Sequence, residues 1–211
     1  MAENNLPLEI KEHYEKAKIA MDRKNYSYAI ELLTHTINIK PDFDEARKLL
    51  RLAETKNFEE NPPNALLRVM NKISSLFHMV TATIREIKGD RYSAISIYEK
   101  ILLEDPKNVT VLVKLGNLLK IEGMKEASVV TLESALNISQ NNAFAYGLLG
   151  EIYSDVGKYD KARSCFKKVL ELRPNDASAE RGLKNLDALT TIDKSFEKKD
   201  GDNFRLREVT E

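Results

Sequence analysis

Apolar residues recur along this chain three and four positions apart, the spacing of helices that bury one face. Ala46, Leu49, Leu50 and Ala53 share a face and predict a helix over Asp42–Lys56. From Ala65 the apolar positions keep a helical period through Leu66, Leu67, Val69, Met70, Ile73, Leu76, Phe77, Met79, Val80, Ala82, Ile84 and Ile87, as far as Lys88. Between these stretches lies Asn57–Asn64, whose consecutive Pro62 and Pro63 predict an extended, helix-breaking segment. Asp176–Leu189 predicts a last helix, with Ala179, Leu183, Leu186 and Leu189 turned inward. After Thr190 the pattern stops, and the mixed-charge residues 191–211 are expected to be a flexible tail.

A longer period overlies the helical one. Gly116 and Gly150 are 34 residues apart, and Ala82 precedes Gly116 by the same interval. Tyr98, Leu132 and Phe166 keep that period, as do Ile101, Ala135 and Val169, and Pro106, Gln140 and Pro174. The fullest copy, residues 143–176, reads Tyr146-x-x-Leu149-Gly150-x-x-Tyr153, then Gly157-Lys158-Tyr159, Ala162-x-x-x-Phe166 and Pro174. This copy resembles the tetratricopeptide repeat, with Tyr146 where that family often has Trp. The copy at 109–142 keeps Leu112, Leu115, Gly116, Gly123, Leu132 and Ala135, but has Ser128 at the small position of its second helix and Gln140 in place of proline. Earlier copies keep Ala82, Gly89, Tyr92, Ala94, Tyr98 and Ile101 before Pro106, and Ala17, Tyr26, Ala29 and Leu33 before Pro41.

The resemblance implies an all-α, right-handed α-solenoid of helix-turn-helix repeats closed by a C-terminal capping helix. Its residues have physical reasons. Small residues let paired helices approach, aromatics fill the gaps between hairpins, and proline stops the second helix by removing a hydrogen bond and clashing with the preceding turn. One hairpin cannot bury its apolar face, so hairpins must stack.

Pro41 and Pro106 are 65 residues apart, not twice the repeat, which places an irregular unit between them. Two readings compete for residues 64–88. One is a degenerate repeat whose short second helix ends near Ser74; the other is one long helix overhanging the array. The degenerate repeat is preferred, because an overhang leaves Leu66, Met70 and Ile73 without neighbours. The expected organisation is therefore an N-terminal repeat and helix over 1–57, an irregular linker and degenerate helix over 58–74, three regular repeats and a cap over 75–190, and the tail.

Charge narrows the partners. Lys+Arg and Asp+Glu both number 33, so no net field draws the chain to nucleic acid. The single cysteine, Cys165, permits no internal disulfide, and neither a secretory signal nor an apolar run long enough to span a bilayer is visible. A cytoplasmic location is expected.

The sequence gives no support for catalysis. Glu9 precedes His13 by four residues and Glu31 precedes His35 by four, but each pair offers only two ligands with no third evident nearby. No phosphate loop or nucleophile motif occurs. No enzyme activity, metal or cofactor is expected.

Family resemblance puts the first helix of each hairpin along a concave groove. The candidate contacts there are Thr110, Val113, Asn117 and Lys120; Phe144, Glu151 and Asp155; and Arg181 and Asn185. Asn117, Glu151 and Asn185 recur at the repeat period and are expected to form a row, where amides can both donate to and accept from a bound backbone. A clamp for a C-terminal carboxylate, known in relatives, is disfavoured. The matching positions are Tyr14 with Lys18, Val113 with Asn117, and Gly147 with Glu151, of which only Asn117 suits it. A second candidate surface is the segment holding Arg68, Met70, Lys72, Ile73 and Phe77, which has no acid between Glu60 and Glu86. It suits a membrane surface or a partner helix. The expected function is a non-catalytic scaffold binding a protein or peptide. The alternatives are a membrane-associated assembly factor, an accessory subunit of an enzyme, and a self-associating array.

Overall fold

Helix starts follow from side chains that can replace the missing backbone partners of the first turn. In a computed structural model, which describes residues 7–189, Asn25, Asn64, Asp90, Asn108 and Asn142 each accept a hydrogen bond from the backbone N–H three residues on. They open α2 (Tyr26–Ile39), α4 (Ala65–Ile87), α5 (Arg91–Glu104), α6 (Val109–Ile121) and α8 (Ala143–Asp155). The other helices are α1 (Leu8–Asp22), α3 (Asp44–Glu60), α7 (Lys125–Ile138) and α9 (Tyr159–Leu172). Residues 177–189 form a further helical run, α10, where Asp176 accepts from the N–H groups of Ser178 and Ala179.

Four hairpin turns share one backbone device. Gly89, Gly123 and Gly157 take φ of +80°, +79° and +72°, the left-handed region that side chains resist. In the α1–α2 turn Lys24 takes that place at φ 58°. Its N–H donates to the Met21 carbonyl at 2.9 Å, matching the 3.0 Å bond from Gly89 to Glu86. The first repeat thus makes the same turn without its glycine.

The chain divides into two units, Met1–Gln140 and Asn141–Glu211. In the second, α8 and α9 form a hairpin. The Phe166 ring fills the space left by Gly150 and Gly182, where an added Cβ would lie 2.7 Å from it. In the first unit α6 and α7 pair in the same way, Gly116 accommodating Leu132. The Ser128 hydroxyl donates to the Gly116 carbonyl at 2.6 Å, which accounts for a polar residue at a buried, small position.

At the N-terminal end α1, α2 and α3 enclose a core of Ile10, Ala17, Ala29, Leu33, Phe43 and Leu50. From there α3 departs from a regular array. It packs on α2 and also across onto α7, while α4 packs chiefly on α5.

Two expectations change. The residues Asn57–Glu60 are helical, continuing α3, so chain-breaking is confined to the segment around Pro62 and Pro63. The helix end expected near Ser74 is absent, because α4 runs unbroken from Ala65 to Ile87. Its interior contains neither glycine nor proline, so nothing in the backbone forces a stop. The predicted tail, 191–211, lies outside the described residues.

Candidate interaction surfaces

The 23 residues of α4 rise about 34 Å and the 14 of α5 about 21 Å at ~1.5 Å per residue, so α4 outreaches its hairpin partner. Only Ser75 and Ala82 of α4 are buried. The Glu86 carboxylate, hydrogen-bonded to the Tyr98 hydroxyl, ties the helix to α5.

On the opposite face Leu66, Met70, Ile73, Phe77, Val80, Ile84 and Ile87 follow one another at alternating intervals of four and three. This is the a/d seam of a coiled coil. Ser75 and Ala82 occupy the f positions of the same heptads, opposite the seam. All seven seam residues are exposed, among them Leu66 at 71%, Phe77 at 72% and Ile87 at 81%. Leu67, Val69 and Leu76, beside the seam, are exposed too. Burying a large apolar side chain is worth roughly 1.5–3 kcal/mol, so leaving ten of them in water is a heavy cost for a helix to carry.

Polar groups beside the seam are satisfied within α4. Thr81 and Thr83 donate to the carbonyls of Phe77 and Met79 at 2.8 and 2.9 Å. Ser74 pairs with His78 Nδ1 at 3.2 Å. Arg68 Nε donates to the Pro63 carbonyl, and Arg85 pairs with Asp90 at 2.9 Å. Of the segment expected to meet a membrane or partner, Met70, Ile73 and Phe77 lie in the seam, with Arg68 and Lys72 exposed outside it.

The groove candidates fall in both units. In α6, Thr110 is exposed and Asn117 and Lys120 are half-buried. Val113 is only 7% exposed, so it belongs to the core and not to a contact surface. Position 113 sits on the face where α6 meets its neighbours, and one repeat further on Gly147 leaves no side chain to mark that face. In the second unit Phe144, Glu151, Asp155, Arg181 and Asn185 are exposed.

A buried ionic cluster joins α3 to α5, and the apolar pattern did not reveal it. Arg47 and Arg51 both donate to the Glu99 carboxylate. Arg51 Nη1 also lies 2.8 Å from Glu54, although neither Glu54 oxygen receives a hydrogen bond. Burial pushes Glu99 up, but the two guanidiniums outweigh it and hold its carboxyl below the usual range. For Glu54 burial prevails over Arg51 and, with Glu99 adding to it, raises the carboxyl to about 8. The available signal was the spacing of Arg47, Arg51 and Glu54, which places three charges on one face of α3.

A second polar cluster joins α1 to α2. Glu9 and His13 stand one helical turn apart, and His35 reaches them from α2. The His13 and His35 rings meet edge to face at 4.9 Å, and His35 Nε2 lies 3.7 Å from Glu9. The third donor that chain spacing does not show is supplied by the hairpin.

Paired helical hairpins, one of them carrying an exposed apolar face, make up a helical-repeat fold. Residues 143–176 match the family described as Tetratricopeptide repeat. The first tetratricopeptide domain of Spaghetti (RPAP3), solved with an HSP90 peptide, superposes with a TM-score of 0.54 at 20% identity, covering 56% of this chain and 93% of that one. An Arabidopsis OM64 tetratricopeptide domain gives 0.53 at 18% identity over 55% of this chain and 96% of its own. The Sgt2 tetratricopeptide domain of Aspergillus fumigatus gives 0.52 at 20% identity, with 59% and 82% covered. Among curated proteins, a probable UDP-N-acetylglucosamine–peptide N-acetylglucosaminyltransferase, SPINDLY of Solanum lycopersicum, is 32% identical over 126 residues, 60% of this chain. The chain spans 14% of that relative's length. Residues 143–176 thus carry a tetratricopeptide repeat, and the fold is that of tetratricopeptide domains. Among the described residues no helix is long and apolar enough to cross a membrane.

Proposed function

We propose that the protein is a non-catalytic interaction module that docks a helix along the exposed seam of α4. The observation that supports this is the unbroken row of exposed apolar side chains from Leu66 to Ile87 on a helix whose other face is packed. Helix-in-groove recognition reads such anchors at intervals of three and four. A Phe77→Glu variant puts a charge at the centre of the seam without touching the core, and should abolish partner capture while leaving helix content unchanged. Capture that persists in this variant refutes the α4 reading.

The concave groove is a second proposed surface. The solved relative that carries an HSP90 peptide supports it, as does the exposure of Glu151 and Asn185. Replacing Glu151 and Asn185 together by Ala should then remove a peptide partner that Phe77→Glu retains. Attachment to an anionic membrane is supported by Arg68, Lys72 and Arg85 on the same helix as the seam. Flotation with anionic vesicles, lost in Phe77→Glu, tests it. An accessory role beside a transferase is supported by the SPINDLY resemblance, and co-purification of that activity with the native protein tests it.

A further inference from the structure

We propose that the partner helix is the α4 of a second copy of this chain, the two seams packing antiparallel. This rests on the reading of α4 as a docking face and names its occupant.

Three observations favour a second copy over another partner. First, the seam is self-complementary: strict alternation of four and three lets two identical helices interlock. Second, the positions flanking the seam from Leu67 to Thr83 carry no charge, being Leu67, Val69, Ser74, Leu76, Thr81 and Thr83. Like-charge repulsion is therefore absent, and no acidic or basic partner is demanded. The hydroxyls among them are already bonded within α4, so burying them leaves none unsatisfied. Third, the area suffices. Ten exposed apolar side chains at roughly 100 Å² each give on the order of 1,000 Å² per copy, against the ~800 Å² per partner of a standard interface.

Orientation follows from the helix dipole. Antiparallel pairing sets the positive N-terminal end of each α4 beside the negative C-terminal end of its partner. Ser75 and Ala82 direct the seam away from α5, so the hairpin does not obstruct the approach.

Sedimentation velocity of the full chain across a wide concentration range should show a dimer. Ile73→Glu, which leaves the core untouched, should weaken it by at least ~30-fold, the effect of a single interface anchor of about 2 kcal/mol. In a Cys165→Ser background, Leu66→Cys mixed with Ile87→Cys should cross-link, and Leu66→Cys alone should not. Cross-linking of Leu66→Cys to itself refutes the antiparallel order. A monomer at every concentration refutes self-pairing. If that monomer still captures a helical partner through Phe77, the docking reading survives; if it binds only anionic vesicles, both fail.

A separate observation assigns a cation site to the α1–α2 hairpin. We infer that Glu9, His13 and His35 bind a divalent transition ion such as zinc. One donor atom from each lies within 4.8 Å of the others, and His13 Nδ1 is buried with no hydrogen-bond partner. Two imidazoles and a carboxylate are a zinc donor set that leaves a fourth position for water. Bonds of about 2.0–2.1 Å to a tetrahedral ion put donors about 3.3 Å apart, so the 4.8 Å limit requires closure of at most about 1.5 Å. Glu9 is exposed and His13 half-buried, so side-chain rotation can supply it.

Calorimetry with zinc chloride should show one site. Binding should fall at least ~10-fold in Glu9→Gln and in His35→Ala, and stay unchanged in His78→Ala, which removes the remaining histidine. Zinc should also raise the melting temperature of the parent chain but not of His35→Ala. Absence of saturable binding, or equal affinity in His35→Ala, refutes the site.

Discussion

Replacing Glu54 by Gln tests the ionic cluster that joins α3 to α5. The Glu54 side chain is fully buried, with Arg51 at 2.8 Å, and Arg47 and Glu99 in the same cluster. Its carboxyl rises from 4.5 to about 8. A carboxyl whose folded value is raised costs nothing below its unfolded value, where both states are protonated. The cost grows as pH climbs and is complete above the folded value. A shift of this size corresponds to a few kcal/mol. The amide introduced by Glu54→Gln keeps the shape of the protonated acid and cannot ionise. Asp44, raised to about 6 by burial and by Glu126 and Glu45, acts in the same direction, but its titration is largely over by about pH 7. Urea unfolding from about pH 7 to about pH 9 therefore isolates Glu54. The parent should lose about 1–1.5 kcal/mol across that interval, the last part of a cost that begins above the unfolded value, and Glu54→Gln should lose much less, the two having similar stability at about pH 4. Parallel stability curves would show that Glu54 does not titrate there, and the account of the cluster would be wrong.

Other perturbations read the backbone and the hairpin contacts. Lys24→Gly should stabilise the chain by about 1 kcal/mol in thermal or urea unfolding, since φ of 58° is strained for lysine and free for glycine. Gly150→Ala should destabilise by about 1–3 kcal/mol, because the new Cβ meets Phe166 at 2.7 Å. Phe166→Leu in that background should recover part of the loss. Ser128→Ala should cost about 0.5–1.5 kcal/mol by removing its hydrogen bond to the buried Gly116 carbonyl, measured by the same unfolding assay.

The hairpins were legible because their determinants are local. Gly116 facing Leu132 and Gly150 facing Phe166 are contacts within one repeat, so residue size at a fixed interval reveals them. The α1–α2 turn was legible despite lacking its glycine, since the helices on either side set the register and Lys24 was forced to comply. Groove positions were less secure. Val113 shows how one step around a helix separates core from surface when the face is inferred by analogy. The cluster of Glu9, His13 and His35 escaped because His35 approaches Glu9 only when the hairpin closes.

By itself the sequence determined the all-α class, the repeat, and the places where hairpins turn. Each depends on residues close along the chain, where propensity, turn chemistry and size act directly. The tertiary structure alone decided that α3 lies against α7, that Arg47 meets Glu99 from 52 residues away, and that α4 stays whole with its seam in water. An amphipathic pattern is the same whether its apolar face is covered or bare. Only the positions of the neighbouring helices distinguish a core from a docking surface.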